Sequence, residues 1–162
     1  SLIKKKQQEK FKKYFGFDTF DNFPNEDLKE NPHLYPLKLT ELDKYEYIKD
    51  FIFANKLGDV ITLIKGDIIN TLPKFLVNAE NKYNFDKLLI SLVYIDCNSY
   101  RAASFSLDNL KRYFSKGALI VVDESRLGDE TLALKNFCDE NKLEFKSTKY
   151  KNHISSYAVW NS

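Results

Sequence analysis

The sequence predicts an α/β layered domain, with a mostly parallel sheet closed by a C-terminal antiparallel hairpin. Three observations point there. From Tyr14 onward, apolar runs of strand length alternate with segments of helical periodicity. Two of those runs, Leu88 to Ile95 and Ala118 to Val122, carry almost no polar residue, as expected of strands covered on both faces. The last two strand segments, Glu144 to Lys149 and Ile154 to Trp160, are joined only by Tyr150 to His153. That link suits an antiparallel pair and is too short for a parallel crossover.

The elements follow in order. Ile3 to Lys13 is polar with apolar Phe11, an exposed helix. Tyr14 to Asp18 is a short strand ending in an acid. Thr19 to Pro36 holds Pro24, Pro32 and Pro36 among acids and asparagines, and reads as loop. Leu39 to Asn55 places Leu39, Leu42, Tyr45, Ile48, Ile52 and Phe53 at helical spacing. Asp59 to Ile64 is a strand running into Lys65-Gly66-Asp67, and a helix follows the Thr71-Leu72-Pro73 turn as far as Lys82. Arg101 to Phe114 is helical. Gly117 separates it from the Ala118 strand, and Glu130 to Asn141 is the last helix.

The bulk properties narrow the function classes. The 162 residues make one domain, 43% apolar and 30% charged, an ordinary globular balance. The net charge of +2 comes largely from Lys4, Lys5, Lys6, Lys10, Lys12 and Lys13. That run is a candidate polyanion patch, but it also reads as the solvated face of a helix, and no nucleic-acid partner is expected. No apolar run approaches the ~20 residues of a membrane span, and no signal peptide is visible. Cys97 and Cys138 lie far apart without a metal or disulfide spacing, which makes the reducing cytoplasm the expected compartment.

In a parallel α/β sheet, ligands sit at the carboxyl ends of the strands. Here those ends deliver Asp18, Gly66-Asp67, Asp96 and Asp123-Glu124 to one rim. Asp18 stands where nucleotide-binding α/β domains hold ribose hydroxyls, or simply begins a loop. If the Leu88 and Ala118 strands pair in parallel, Asp96, Asp123 and Glu124 converge and repel one another. A hard cation such as Mg²⁺ would relieve that, and could acidify a bound hydroxyl. The alternative is that these acids cap the following helices, although Asn98 or Ser99 is better placed to cap the Arg101 helix. His33 and His153 read as exposed loop residues, and Cys97 as packing rather than a nucleophile.

Five stretches then resemble one family. Gly16 to Pro24 is similar to the "GFDSFEGLP" stretch of the macrocin O-methyltransferase (TylF-like) family. Lys65-Gly66-Asp67 with Asn70-Thr71-Leu72-Pro73 resembles "KGxFxDTLP", and Tyr94 to Tyr100 resembles "HIDxDxY". Gly117 to Glu124 resembles "GGxIIxDDY", and Tyr157 to Trp160 its closing strand. The resemblance covers the chain from Tyr14 onward. It implies a Rossmann-like class I methyltransferase fold and transfer of a methyl group from S-adenosylmethionine to a sugar or glycoside hydroxyl. By position, Asp18 would hold the donor's ribose, with Gly66 and Asp67 beside its adenosine. Asp96 would be general base and metal ligand, with Asp123 and Glu124 completing a Mg²⁺ site. Asn98, Glu124 and Ser125 replace the family's Asp, Asp and Tyr.

The family also opens with a strand and a glycine-rich turn that approach the donor's methionine part. The resemblance places that strand before Ile3, so the domain is expected to be N-terminally incomplete and its sheet to lack a central strand. A non-catalytic scaffold of the same fold and a nucleotide-sugar enzyme are the competing expectations. The acceptor-facing loops would be Asn22 to Pro36 and Ser125 to Asp129. Phe20, Phe23 and Tyr35 hint at a lid or a homodimer interface.

Overall fold

A computed structural model describes residues 12–30, 32, 44–83, 88–123, 129–148 and 154–161. The expected Ile3 helix and both histidines lie outside the described residues. Strand β1 (Tyr14–Asp18) pairs in parallel with β2 (Ile61–Lys65), Tyr14 opposite Ile61 and Asp18 opposite Lys65. Strand β3 (Ile90–Ile95) pairs in parallel with β4 (Phe114–Val122), Ile95 opposite Val122. Strand β6 (Ser156–Val159) runs antiparallel to β4 and to the two-residue β5 (Lys146–Ser147). The order is β1-β2 in one sheet and β3-β4-β6-β5 in the other. The expected mixed sheet and terminal hairpin are both present, but the pairing is split in two, with β1 and β3 each bonded on one side only among the described residues.

Helices α4 (Tyr100–Leu110) and α5 (Asp129–Asn141) cover one face of the larger sheet. The core there is Ala103 and Leu107 from α4, Leu134 and Cys138 from α5, and Ile120, Val122 and Ala158 from the strands, all fully buried. Phe114, Phe137 and Trp160 close its lower end as an aromatic cluster, centroids 5.5–6.4 Å apart. Helix α3 (Ile68–Tyr83) lies on β1, where Phe75 meets Phe15 at 4.6 Å and Phe17 at 5.3 Å.

Four expectations change. Helix α1 (Asn25–Glu30) forms inside the stretch read as loop, directly after Pro24, and Asp27 on it is buried by a partner far along the chain. Helix α3 starts at Ile68, not after a Thr71-Leu72-Pro73 turn, because Asp67 caps it there; Pro73 sits inside it without an N–H to give to the preceding turn. Strand β4 starts at Phe114, so Gly117 lies within it, at φ 82°, where the β3–β4 register shifts. Finally, β3 is not covered on both faces. Leu92 is 52% and Tyr94 58% exposed, because α4 and α5 take one face and no described element packs on the other. Helix α2 (Lys44–Ala54) matches the periodic stretch, with only Ile52 buried. No helix among the described residues is long and apolar enough to cross a membrane.

Candidate functional site at the strand ends

At the β1–β2 end, local turns shape the acids. Asp18 Oδ1 accepts the Phe20 N–H at 2.7 Å, holding Phe20 at φ 51°, and the exposed carboxylate heads an Asx-type turn. The Gly66 N–H donates to the Asp18 carbonyl at 2.8 Å, extending the ladder one residue past β2. Gly66 has φ 131°, and a Cβ there would meet Thr71 Cγ2 at 3.0 Å, so the tight exit from β2 requires glycine. Asp67 then caps α3: its Oδ1 accepts the Ile69 N–H at 3.0 Å, and its carbonyl accepts the N–H groups of Asn70 and Thr71.

The β3–β4 end is arranged differently. Ser99 caps α4, its Oγ accepting the Ala102 N–H at 3.1 Å. Asp96 is therefore not used as the cap of α4, and its side chain is exposed at the rim. On the neighbouring strand end, the Asp123 N–H donates to the Ile95 carbonyl at 2.9 Å, so the ladder carries Asp123 alongside Asp96. Asp123 is 8% exposed; its Oδ1 accepts the Tyr94 hydroxyl at 2.7 Å and the Ser155 hydroxyl at 3.4 Å. The hydrogen bond to Asp123, helped by burial and by the charges of Asp123 and Asp96, pushes the Tyr94 phenol up to about 12. Burial pushes the Cys97 thiol well above its ordinary value.

Two carboxylates that sequence reasoning missed organise this rim. Asp27 on α1, 3% exposed, accepts the Ser99 hydroxyl at 2.8 Å and takes Arg101 in a fork, Nε at 2.8 Å and Nη2 at 3.0 Å. Arg101 Nη2 also reaches Asp67 Oδ2 at 3.3 Å. One guanidinium thus ties the β1–β2 rim to the β3–β4 rim, and its bonds to Asp27 raise its own pKa further. A signal existed: a cation in the first turn of a helix opposes the macrodipole, which asks for acids nearby. The second carboxylate is Glu130, in the first turn of α5, 1% exposed. Its Oε2 accepts the Cys97 N–H at 3.0 Å and the Asn98 N–H. An acid in a first turn is so ordinary that nothing in the sequence marks it.

The structure therefore brings Asp96 and Asp123 to neighbouring strand ends and links Asp67 to Asp27 through Arg101. Glu124 lies outside the described residues. Among the described residues, no group of three or more His, Cys, Asp or Glu side chains is placed to hold a metal ion. The described carboxylates do not by themselves make the expected Mg²⁺ site. Phe20 packs on Tyr45 within the chain at 5.0 Å, and Tyr35 lies outside the described residues.

Comparison with known proteins places this architecture. The structure is similar to the crystal structure of CalS11, a calicheamicin methyltransferase, with a TM-score of 0.71 at 21% identity, covering 93% of this chain and 61% of that one. It is similar to the O-methyltransferase NovP, with a TM-score of 0.65 at 14% identity over 99% of this chain and 64% of that one. An O-methyltransferase from Bacillus cereus in complex with SAH gives 0.51 at 12% identity, over 91% and 74%. The chain spans less than two thirds of the length of CalS11 and NovP. A search of curated protein sequences found no match. The family described as "Methyltransferase domain" matches residues 3–125, and the chain belongs to that methyltransferase-domain family, whose Rossmann-like α/β fold it shares with these structures.

Proposed function

We propose that this chain forms most of an O-methyltransferase domain that moves a methyl group from S-adenosylmethionine to a sugar hydroxyl. The observation that carries the reading is the exposed Asp96 at the end of β3, beside Asp123, on a rim whose helix α4 is joined to the β2 rim by the Arg101–Asp67 ion pair. The similarity to CalS11, described as a TDP-rhamnose 3′-O-methyltransferase, supports a sugar acceptor.

When bound, the donor supplies an electrophilic methyl on a sulfonium and leaves as a neutral thioether. The chain's own residues do the rest. Asp18, exposed at the end of β1, accepts hydrogen bonds from ribose hydroxyls. Gly66 gives the close backbone approach that a side chain would block. Asp67, held by Arg101, borders the adenosine. Asp96 takes the proton from the acceptor hydroxyl as its oxygen attacks, a general-base role. A divalent cation is the finer part of this reading, and would draw on Asp96, Asp123 and Glu124. We also read the domain as N-terminally incomplete. A further parallel strand between β1 and β3 would pair both one-sided edges.

The test is isothermal titration of S-adenosylhomocysteine into the 162-residue chain, with and without Mg²⁺. Heat of binding supports the donor site. Binding that tightens with Mg²⁺ supports the cation. No heat at high micromolar ligand removes the donor site from this chain and favours a scaffold.

A further inference from the structure

Glu130 has no part in the donor or acceptor chemistry, yet it is among the most deeply buried charged groups of the described structure. Among the described residues its Oε1 has no hydrogen-bond partner. A buried carboxylate left half-satisfied costs stability, and burial holds its carboxyl above the ordinary value. What it does with Oε2 is local: it grips the N–H groups of Cys97 and Asn98. Asn98 stands at φ 50°, a left-handed conformation that asparagine tolerates better than most residues and that marks a tight turn here. Asp96 immediately precedes this turn.

The same turn is held from its other side. Ser99, the cap of α4, donates its hydroxyl to Asp27 on α1, and Arg101 donates to both oxygens of Asp27. The segment from Cys97 to Arg101 is therefore clamped between α5 and α1, while Asp96 at its head stays exposed. A short turn fixed from two sides has little freedom to redirect that side chain.

We propose that Glu130 is the positioning residue for Asp96: by accepting the amides of Cys97 and Asn98 it fixes the turn that presents the Asp96 carboxylate to the acceptor. This rests on the methyl-transfer reading, in which Asp96 receives the acceptor proton. The role depends on the reach of the side chain and not on its charge. Glutamine keeps the reach and an acceptor oxygen. Aspartate keeps the charge but draws the oxygens back by about 1.5 Å, one C–C bond.

The experiment compares E130Q and E130D with the wild-type chain by methyl transfer and by amide hydrogen exchange resolved at Cys97 and Asn98. The expected result is that E130D lowers kcat by about tenfold to a hundredfold, the scale of an ångström-level misplacement. Its KM for the donor should stay within about twofold, and protection at Cys97 and Asn98 should be lost while that of Leu134 to Cys138 is kept. E130Q should retain most of both kcat and protection. The reverse order, E130Q impaired and E130D active, overturns the proposal, because charge would then be the operative property. Unchanged protection in E130D overturns it as well. If the wild-type chain transfers no methyl group, it is the methyl-transfer reading that fails. Hydrogen exchange then still decides the clamp, since loss of protection in E130D with retention in E130Q supports it and any other pattern refutes it.

Discussion

The two strand-end rims use the same sequence device, an acid following a strand, for different ends. At the β1–β2 rim the acids turn back on their own backbone: Asp18 closes the turn at Phe20, and Asp67 caps α3. Each contact spans two residues, so each is made by local geometry. At the β3–β4 rim the holding groups come from far along the chain, with Asp27 and Glu130 reaching residues 72 and 32 positions away. Asp96 is thereby relieved of capping and left exposed. A rim acid becomes available for chemistry when other groups take over the structural work of its turn.

The sharpest way to break this comparison is to neutralise one acid on each rim. Asp96→Asn should lower kcat by at least about a hundredfold, the low end of what a general base contributes. Affinity for S-adenosylhomocysteine and thermal stability should barely change, because Asp96 caps no helix. Asp67→Asn should do the opposite, weakening donor affinity and lowering stability through loss of the ion pair with Arg101, while asparagine still caps α3. Equal turnover in wild type and Asp96→Asn would refute the difference between the rims.

Next in size is the clamp between them. Asp27→Ala leaves the Arg101 fork and the Ser99 hydroxyl without their acceptor. Breaking a buried ion pair costs about 3–5 kcal/mol. Arg101 keeps 24% of its side chain in water, so about 2–3 kcal/mol is the better expectation. That is a fall of roughly 4–12 °C in the melting temperature. Arg101→Lys should recover only part of the loss, since an ammonium cannot fork across both oxygens.

The fold was largely legible because periodicity and apolar runs are local properties. Tyr14–Asp18, Ile61–Lys65 and Asp129–Asn141 formed within two residues of their expected bounds. The misreadings arose where distant contacts prevail over local signals. Helix α1 was hidden because Asp27 is buried by Arg101, and no pattern near residue 27 announces a partner at 101. Leu88 to Ile95 was read as doubly covered, since an apolar strand looks the same whether or not its second face has a cover. In the site, Asp96 and Asp123 were readable as strand-end acids brought together by parallel pairing. Glu130 was not, because its function lies in the amides it reaches.

The glycines sharpen the contrast at smaller scale. Gly66→Ala adds a Cβ 3.0 Å from Thr71 Cγ2 at φ 131° and should cost about 1–3 kcal/mol. Gly117 is also left-handed, at φ 82°, but a Cβ there meets nothing within 4 Å. Gly117→Ala should cost only the conformational part, about 1 kcal/mol. Chemical denaturation of the two variants tests this, and an equal loss would show that crowding at Gly66 is relieved by movement of Thr71.

The smallest expected effect concerns Tyr94, which donates to Asp123 from the uncovered face of β3. Tyr94→Phe removes one hydrogen bond at a half-exposed site and should cost about 0.5–1 kcal/mol. Titration is the more telling measurement. The Tyr94 phenol is raised from 10 to about 12, so folding favours its protonated form. That contribution is complete below pH 10 and is lost as pH rises through about 12. In an ultraviolet titration, Tyr94→Phe should remove only the highest-titrating phenol, whereas Asp123→Asn should bring that phenol down toward 10 by removing the charged acceptor. If Asp123→Asn leaves the titration unchanged, Asp123 is not held by Tyr94 in solution. Its carboxylate would then stand at the rim beside that of Asp96 without the Tyr94 hydroxyl to hold it.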